Sequence, residues 1–326
     1  MEVSLHCPGA TPDPIRLPLH RYAPLHRRPP RGAGRAPAPD ADTQLKGPGP
    51  HVKAHHDLLA TAEEAVEAGV SWLTRAGAEW SATKFKESGE EVTDADVEVE
   101  RRVSRVLRER YPDIPVVGEE FSEGGEGGPL PPRCWLLDPI DGTMNYTRGA
   151  PLYAVSLAYA EGGSPVVGVL VAPALERRWT AGAEPARRGE HTGGGRCGEP
   201  SGVREVSHAV VGVTGTGSPD SRSGRFLAHL MSGAYRVRIH GCMSLDLAGV
   251  AEGWLDAAVC FGPSPWDVGA GVALLRERGL AVLGAEGRDF TFDSPILAAG
   301  QPDLAKDLAQ RWESMPRDGF PTGHGA

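Results

Sequence analysis

The C-terminal half of the chain alternates short apolar runs with longer segments of helical periodicity. Because each strand and each helix must bury one apolar face, such alternation requires helices packed in layers against a sheet. The sequence therefore predicts an α/β fold. The predicted strands are 210–213, 236–240, 255–259 and 296–299, and the predicted helices are 222–231, 243–252, 266–278 and a last one through Leu304 and Leu308.

The N-terminal half predicts two helices followed by strands. Apolar residues at helical spacing predict a first helix from Asp57 to about Ala82. A second begins near Thr93, where acidic residues suit a helix N-terminus, and Pro112 stops it. The predicted strands are 114–117, a buried one at 135–137, and a hairpin of 153–159 with 166–171 around Gly162 and Gly163; residues 183–203 are predicted as a loop.

Composition excludes several classes of protein. The net charge of −9 argues against a nucleic-acid-binding surface, and no apolar run is long enough to span a membrane. The five cysteines form no CxxC pair and are odd in number, which disfavours a disulfide framework or a zinc ribbon. We therefore expect a reducing, cytoplasmic location.

The first segment of the chain differs in composition from the rest. Residues 1–52 are rich in Pro, Arg, Gly and Ala with little apolar periodicity, so we expect a disordered extension. An organellar transit peptide and a mis-called start codon are alternative interpretations. Beyond it we expect an N-terminal α+β subdomain over 53–205, a C-terminal α/β subdomain over 206–318 and a flexible tail over 319–326.

The stretch WLLDPIDGTMNYT, from Trp135 to Thr147, carries the clearest chemical signal. It places Asp138 and Asp141 on a turn after an apolar strand, followed by Gly142 and Thr143, where backbone can face a phosphate. Carboxylates and phosphate repel each other, so such a site requires divalent cations between them. Hard cations such as Mg²⁺ prefer oxygen ligands. The stretch therefore indicates metal-assisted chemistry on a phosphate ester.

Three further acidic clusters fall at predicted strand ends or helix starts. Taken alone, each has a structural interpretation: helix caps for Asp96 and Asp267, and a solvated turn for Glu119. Turn formation explains Asp138 and Asp141 less well, because a turn does not require both acids with Thr143 behind them. The clusters are Asp94/Asp96/Glu100, Glu119/Glu120 and Pro265-Trp266-Asp267.

Two other mechanisms are disfavoured. A phosphatase with an aspartyl-phosphate intermediate needs an aspartate two residues before Asp141, and Pro139 stands there. The segment GVTGTG at 212–217 follows a strand but lacks the spacing of a nucleotide-binding glycine loop, so a simple loop is the better interpretation.

Together these segments resemble the inositol monophosphatase family of Mg²⁺-dependent, lithium-sensitive phosphomonoesterases, over about residues 55–315. The most specific piece is Asp138-Pro-Ile-Asp141-Gly-Thr143-x-Asn145-Tyr146. The supporting pieces are the Thr93-x-x-Asp96-x-x-x-Glu100 pattern, Gly118-Glu119-Glu120, GCMSLDLAG at 241–249, and Trp266-Asp267. The resemblance implies a layered αβαβα sandwich of the inositol monophosphatase and fructose-1,6-bisphosphatase type, commonly a homodimer.

The resemblance also implies a role for each site residue. Two to three Mg²⁺ ions are expected, the third near Glu119, with inhibition by Li⁺ if the chain is family-like. Asp96 and Thr143, with Glu119, are the implied catalytic residues and orient a water that the metals make more acidic. The implied ligands are Glu119, Asp138 and the Ile140 carbonyl for the first ion, and Asp138, Asp141 and Asp267 for the second. The implied phosphate and substrate contacts are Gly142, Thr143, Lys86 and the position of Cys260.

Cys260 departs from the pattern that the resemblance implies. Family members that act on inositol phosphate tend to carry a glutamate there, and a thiol is a poor acceptor for a substrate hydroxyl. The change leaves the reaction intact and the substrate open among inositol monophosphate, histidinol phosphate, fructose 1,6-bisphosphate and 3′-phosphoadenosine 5′-phosphate. An alternative of another class is a catalytically silent regulator that binds phosphate or metal.

Overall fold

The computed structural model describes residues 50–76, 83–85, 91–120, 129–182, 198–215 and 217–317, with side chains given except at 50–54, 83–85 and 91. The predicted extension up to residue 49, Lys86, most of the 183–203 loop and the 319–326 tail lie outside the described residues. The predicted end of the first helix near Ala82 also lies outside them. The subdomain boundaries stay predictions.

Described helices and strands follow the predicted order. The helices are α1 Pro50–Ala76, α2 Asp94–Arg110, α3 Thr143–Thr147, α4 Arg222–Gly233, α5 Met243–Glu252, α6 Pro265–Glu277 and α7 Pro302–Ser314. The strands are β1 Thr83–Phe85, β2 Glu91–Thr93, β3 Val116–Gly118, β4 Arg133–Asp141, β5 Ala154–Glu161, β6 Ser164–Ala172, β7 Arg177–Ala181, β8 Val210–Thr214, β9 Arg236–Arg238, β10 Ala257–Phe261, β11 Ala281–Leu283 and β12 Ile296–Gly300.

Two five-stranded sheets form the β-layers. The first has the order β3-β4-β5-β6-β7, and the second has the order β11-β12-β10-β8-β9. The hairpin β5–β6 turns at Gly162 and Gly163, whose φ angles of 59° and 77° are those that a two-residue hairpin turn favours. Strand β8 pairs in parallel with both β9 and β10, and β10 pairs antiparallel with β12.

Helices cover both sheets and complete the αβαβα sandwich. Helices α1 and α2 pack together on one face of the first sheet, and α5 and α6 lie between the two sheets. Helices α4 and α7 cover the outer face of the second sheet. Strand β4 is buried along nearly its whole length because helices lie on both of its faces, so its sequence lacks polar alternation. Its carboxyl end therefore delivers polar groups into the interior.

The described residues contain neither a helix able to cross a membrane nor a disulfide. Among the described helices, none combines the length and hydropathy that crossing a bilayer requires. Three described cysteines, Cys134, Cys242 and Cys260, are buried free thiols.

Candidate active site

The end of β4 bends into a tight turn that carries the central acids. Asp138 is 2% exposed, and its Oδ1 accepts a hydrogen bond from the Ile140 backbone N–H at 2.9 Å. The pairing of β4 with β5 shifts register between Asp138 and Asp141, so the strand bulges at the two residues between these acids. Gly142 follows with φ 87°, a conformation that favours glycine, and begins α3.

Asp141 joins the turn to the N-terminus of α5. Its carboxylate accepts hydrogen bonds from the backbone N–H groups of Met243, at 3.2 Å, and Ser244, at 2.5 Å. Burial raises the pKa of Asp141 to about 6, although these hydrogen bonds act in the opposite direction. Ser244 is fully buried and its hydroxyl donates to the Asp267 carbonyl at 3.2 Å. Ser244 was not singled out from the sequence, and it positions two of the predicted ligands.

Asp96 caps α2 and also contacts the turn of β4. It is the third residue of α2, and its Oδ2 accepts hydrogen bonds from the Thr93 N–H at 2.8 Å and the Thr93 hydroxyl at 2.6 Å. Its Oδ1 lies 3.2 Å from the Thr143 hydroxyl, which is also 2.8 Å from the Ile140 carbonyl. One oxygen caps the helix and the other reaches the turn of β4. The predicted pair Asp96 and Thr143 is therefore in contact.

Asp267 repeats this arrangement at the start of α6. Its Oδ2 accepts a hydrogen bond from the Ser264 N–H at 2.9 Å, which completes a capping box with Ser264 as the N-cap. The Ser156 hydroxyl of β5 donates to the neighbouring Trp266 carbonyl at 3.2 Å. The first sheet thus holds the start of α6 beside the turn of β4.

Glu119 lies on the turn after β3, and Glu100 fixes that turn. The Glu119 N–H donates to the Leu137 carbonyl at 3.2 Å, next to Asp138. Glu100 is 1% exposed and accepts a hydrogen bond from the Glu120 N–H at 3.0 Å. A Cβ at Gly118 would lie 2.2 Å from the Glu100 Oε1, so the close approach requires glycine. Glu100 belonged to a predicted motif without a role, and the structure assigns it a positioning role.

Burial is the largest electrostatic effect on these acids, and mutual repulsion adds to it at Asp138 and Asp96. Burial raises the pKa of Asp138 well above its ordinary value, and the charges of Glu119, Asp141, Asp267 and Asp96 raise it further. Burial likewise raises the pKa of Asp96 to about 7. Among the described His, Cys, Asp and Glu side chains, no group of three is placed to hold a metal ion. The donor set still fits Mg²⁺, because buried carboxylate and carbonyl oxygens whose charges repel one another are stabilised by a hard cation.

Cys260 and Lys86 are the remaining predicted site residues. Cys260 is fully buried at the end of β10. Burial raises the pKa of its thiol, and the nearby charges of Asp246, Asp141 and Asp267 raise it further. The protonated thiol is therefore favoured. Lys86 lies outside the described residues.

Asn145 has a structural role that the sequence did not reveal. Its side-chain amide donates to the carbonyls of Leu152 at 2.7 Å and His240 at 2.8 Å. These contacts hold α3 against the segment that leads into α5, and the first residues of α5 supply the N–H groups that bind Asp141. The signal for Asn145 was its place in the most specific motif, but its partner His240 is 95 residues away.

The raised carboxyl pKa values predict an unusual pH dependence of stability. Asp96, near 7, and Asp141, near 6, bind protons more tightly folded than at their ordinary value of 3.8. Since the folded state then binds more protons, these two groups contribute stability at low pH that is lost as pH rises through their folded pKa values. We expect the thermal midpoint of the protein in EDTA to fall between pH 5 and pH 8. The Asp96→Asn variant should show a shallower fall, and a midpoint that rises over this range would contradict the assignment.

Comparison with known proteins gives the site a context. The profile of the inositol monophosphatase family matches residues 52–316. The chain belongs to the inositol monophosphatase family. Inositol-1-monophosphatase ImpA of Mycolicibacterium smegmatis is 36% identical over 262 residues, which cover 78% of this chain and 91% of that protein. Histidinol-phosphatase of Mycobacterium tuberculosis is 35% identical over 240 residues, which cover 69% of this chain and 86% of that protein.

Solved structures of the inositol monophosphatase family share the fold. The inositol monophosphatase from Anabaena (Nostoc) superposes with a TM-score of 0.66 at 27% identity, over 80% of this chain and 97% of that one. This agreement confirms the predicted layered sandwich. Membership of the inositol monophosphatase family also makes the protein a phosphoric monoester hydrolase.

Proposed function

We propose that the protein hydrolyses a small phosphate monoester in a Mg²⁺-dependent reaction with a water nucleophile. The observation that carries the proposal is the convergence of acids from four separate elements on the end of β4. Glu119, Asp141, Asp267 and Asp96 all raise the pKa of the buried Asp138 by their charge. Such repulsion between buried charges destabilises the fold, and a bound cation would offset it.

The proposed ligands follow from the donor types present. Glu119, Asp138 and the Ile140 carbonyl would hold one Mg²⁺, and Asp138, Asp141 and Asp267 would hold the second. A third, weaker ion is proposed near Glu119. When bound, Mg²⁺ supplies Lewis-acid stabilisation of phosphoryl charge and makes water more acidic. Inhibition by Li⁺ remains a prediction.

Asp96 and Thr143 are proposed to position the attacking water. The Thr143 hydroxyl can donate a hydrogen bond to the Asp96 carboxylate, at 3.2 Å, or to the Ile140 carbonyl, at 2.8 Å. Its oxygen then accepts a hydrogen bond from water and fixes one of the water's protons. The backbone N–H groups of Gly142 and Thr143, at the start of α3, are proposed to hold the phosphate oxygens.

The leaving group is proposed to be a small polyol, sugar or amino alcohol. Relatives of similar identity are named as inositol-1-monophosphatase and histidinol-phosphatase, so family membership alone leaves the choice open. Cys260 supports a substrate other than inositol phosphate, because a buried, protonated thiol offers little to a substrate hydroxyl. Histidinol phosphate, fructose 1,6-bisphosphate and 3′-phosphoadenosine 5′-phosphate are the alternatives.

Phosphate release from a substrate panel tests the proposal. The purified chain is assayed with these four phosphates, with Mg²⁺ and with EDTA. We expect Mg²⁺-dependent release from at least one substrate. Absence of release by the folded protein from every panel member would favour the alternative of a silent phosphate- or metal-binding regulator.

Cys260 is tested in the same panel. If its position lines the leaving-group pocket, Cys260→Glu should move the substrate ranking toward inositol monophosphate, because a carboxylate accepts hydrogen bonds from hydroxyls. Cys260→Ala is the matched control, since it removes the thiol without adding an acceptor. An unchanged ranking in the glutamate variant, with the fold intact, would count against this placement.

Two further features stay predictions. The chain is proposed to act as a homodimer, and the exposed apolar side chains of Met144 and Ile239 support an interface near Asn145. A monomeric mass in sedimentation equilibrium would contradict this. The cytoplasmic location is supported by the buried free thiols of Cys134, Cys242 and Cys260, and fractionation of cells tests it.

A further inference from the structure

A separate cavity of about 390 Å³ lies between α5, the edge of the second sheet and the turn that joins β6 to β7. Its apolar wall includes Leu175, Leu245 and Trp254, and its polar wall consists of Arg238 and His240. The volume falls in the range of small-molecule sites, which are mostly apolar with a few polar groups. None of the five acids of the candidate active site lines it.

A buried carboxylate fixes the His240 ring at this cavity. The His240 Nδ1 lies 2.6 Å from the Oδ1 of Asp246, a residue with no exposed surface. The other Asp246 oxygen accepts a hydrogen bond from the Thr214 hydroxyl. Because Nδ1 donates its hydrogen to Asp246, the ring is oriented, and in its cationic form it offers Nε2–H as a donor to a ligand. The hydrogen bond to Asp246 also raises the pKa of His240, which favours the cationic ring.

The walls of the cavity are cationic in a protein that is acidic as a whole. Arg238 and His240 are its ionisable lining residues, while the chain carries a net charge of −9. A third cation lies beside it, since the guanidinium of Arg177 is 4.8 Å from the ring centroid of Trp254. Asp246 is buried and hydrogen-bonded to His240, and Asp256 accepts a hydrogen bond from the N–H of the lining residue Val210. Because the ionisable lining residues are Arg238 and His240, the cavity favours an anionic ligand over a cationic one.

Asn145 connects this cavity to the turn of β4. Its side-chain amide binds the carbonyls of Leu152 and His240, and both residues line the cavity. A Cβ at Gly142 would lie 2.8 Å from that same Leu152 carbonyl. A ligand that shifts Leu152 or His240 would thus act directly on the segment that holds the predicted phosphate contacts.

We infer that this cavity is a binding site for a small carboxylate with an aromatic or aliphatic body, separate from the active site and coupled to it through Asn145. The body lies among Leu175, Leu245 and Trp254, and the carboxylate accepts hydrogen bonds from His240 and Arg238. The size of the cavity and the charge of its polar wall give this ligand class. The binding claim does not depend on the proposed function.

Calorimetric titration of the full chain tests the binding. The probes are indole-3-propionate and octanoate, with indole-3-propionamide as a neutral match for the first. We expect at least one acid to bind with a dissociation constant below about 1 mM, and the amide to bind roughly tenfold or more weakly, since it lacks the charge-assisted hydrogen bonds. No saturable binding of either acid, or equal binding of acid and amide, would overturn the assignment.

Variants locate the site. His240→Gln should weaken binding of the acid probe by roughly tenfold and leave binding of the amide probe unchanged. Arg238→Gln should have the same effect on both probes, and because Arg238 is exposed this substitution should have little effect on the fold. Leu175→Trp should abolish binding by filling the cavity. Arg204→Gln is the matched control, because Arg204 is an exposed arginine paired with Asp303 elsewhere. Wild-type affinity in both His240→Gln and Leu175→Trp would place the probe at another site and refute the proposal.

The coupling is tested by turnover and rests on the proposed function. The best panel substrate is assayed with and without a saturating acid probe. We expect KM or kcat to change in the wild type and to stay constant in Leu175→Trp. Binding by calorimetry without any kinetic change would refute the coupling while leaving the binding site in place, and loss of all phosphatase activity would instead refute the proposed function.

Discussion

Asp138→Asn is expected to lower kcat/KM for phosphate release by at least about a thousandfold. In the proposed site Asp138 would be a ligand to both cations, and removing a ligand to such ions costs several kcal/mol of transition-state stabilisation, with about 1.4 kcal/mol for each factor of ten. Asparagine keeps the hydrogen bond that Asp138 accepts from the Ile140 N–H at 2.9 Å. The local turn is therefore preserved, so the loss of kcat/KM reports the effect of removing the negative charge.

The same substitution should act in the opposite direction on the metal-free fold. In EDTA, we expect Asp138→Asn to unfold at the same temperature as the wild type or higher, because it removes a buried charge that four neighbouring acids repel. Added Mg²⁺ should raise the wild-type midpoint, since a ligand that binds only the folded state stabilises it by about 2.7 kcal/mol at a hundredfold excess over its Kd. The variant should respond much less.

Asp289→Asn is the matched control for this experiment. Asp289 forms an ion pair with Arg276, and its side chain is 77% exposed, so this variant should keep both activity and the response to Mg²⁺. Wild-type turnover in Asp138→Asn would remove Asp138 from the proposed site. A metal-free variant less stable than the wild type would show that its charge is compensated within the chain.

Gly142→Ala should impair both folding and catalysis. Gly142 has φ 87°, and an added Cβ would lie 2.8 Å from the Leu152 carbonyl oxygen and 3.2 Å from the Gly241 carbonyl oxygen. The left-handed conformation alone costs a non-glycine residue about 1–2 kcal/mol. Relief of the clash must move the turn that carries the proposed phosphate contacts, and a displacement of about 1 Å can cost roughly a hundredfold in rate.

Gly149→Ala separates these two effects. Gly149 has φ 70°, and an added Cβ would have no neighbour within 4 Å. We expect this control to lose about 1 kcal/mol in urea unfolding with kcat/KM nearly unchanged. If both alanine variants lost the same stability and neither lost activity, the close packing around Gly142 would have no catalytic importance.

Much of the fold could be predicted because its local patterns agree with its tertiary structure. Helix α5 spans Met243–Glu252 as predicted, and the glycines of the β5–β6 hairpin marked its turn. Four short strands, β1, β2, β7 and β11, were not predicted. The sequence of β7, RRWTA, carries little apolar alternation. This strand forms because it pairs with the neighbouring β6, and its own composition does not predict it.

The candidate site was predicted in its acids but not in the groups that hold them. Each acid follows a strand or begins a helix, which is a local signal. The groups that orient the acids come from distant segments: the Ser244 N–H binds Asp141 across 103 positions, and Glu100 binds the turn of Glu119 across 20. One sequence carries no record of such pairings, so these roles required coordinates.

The two capping boxes have a consequence for tracing loss of activity among related proteins. Asp96 and Asp267 each use one carboxylate oxygen to close a helix start, so a descendant that abandons catalysis still needs them to fold. Asp138 carries more repulsion than structural benefit. Selection for stability alone would therefore replace Asp138 before either capping aspartate. A lineage that has become catalytically silent is best recognised by a substitution at Asp138, whereas retained Asp96 and Asp267 say little about its chemistry.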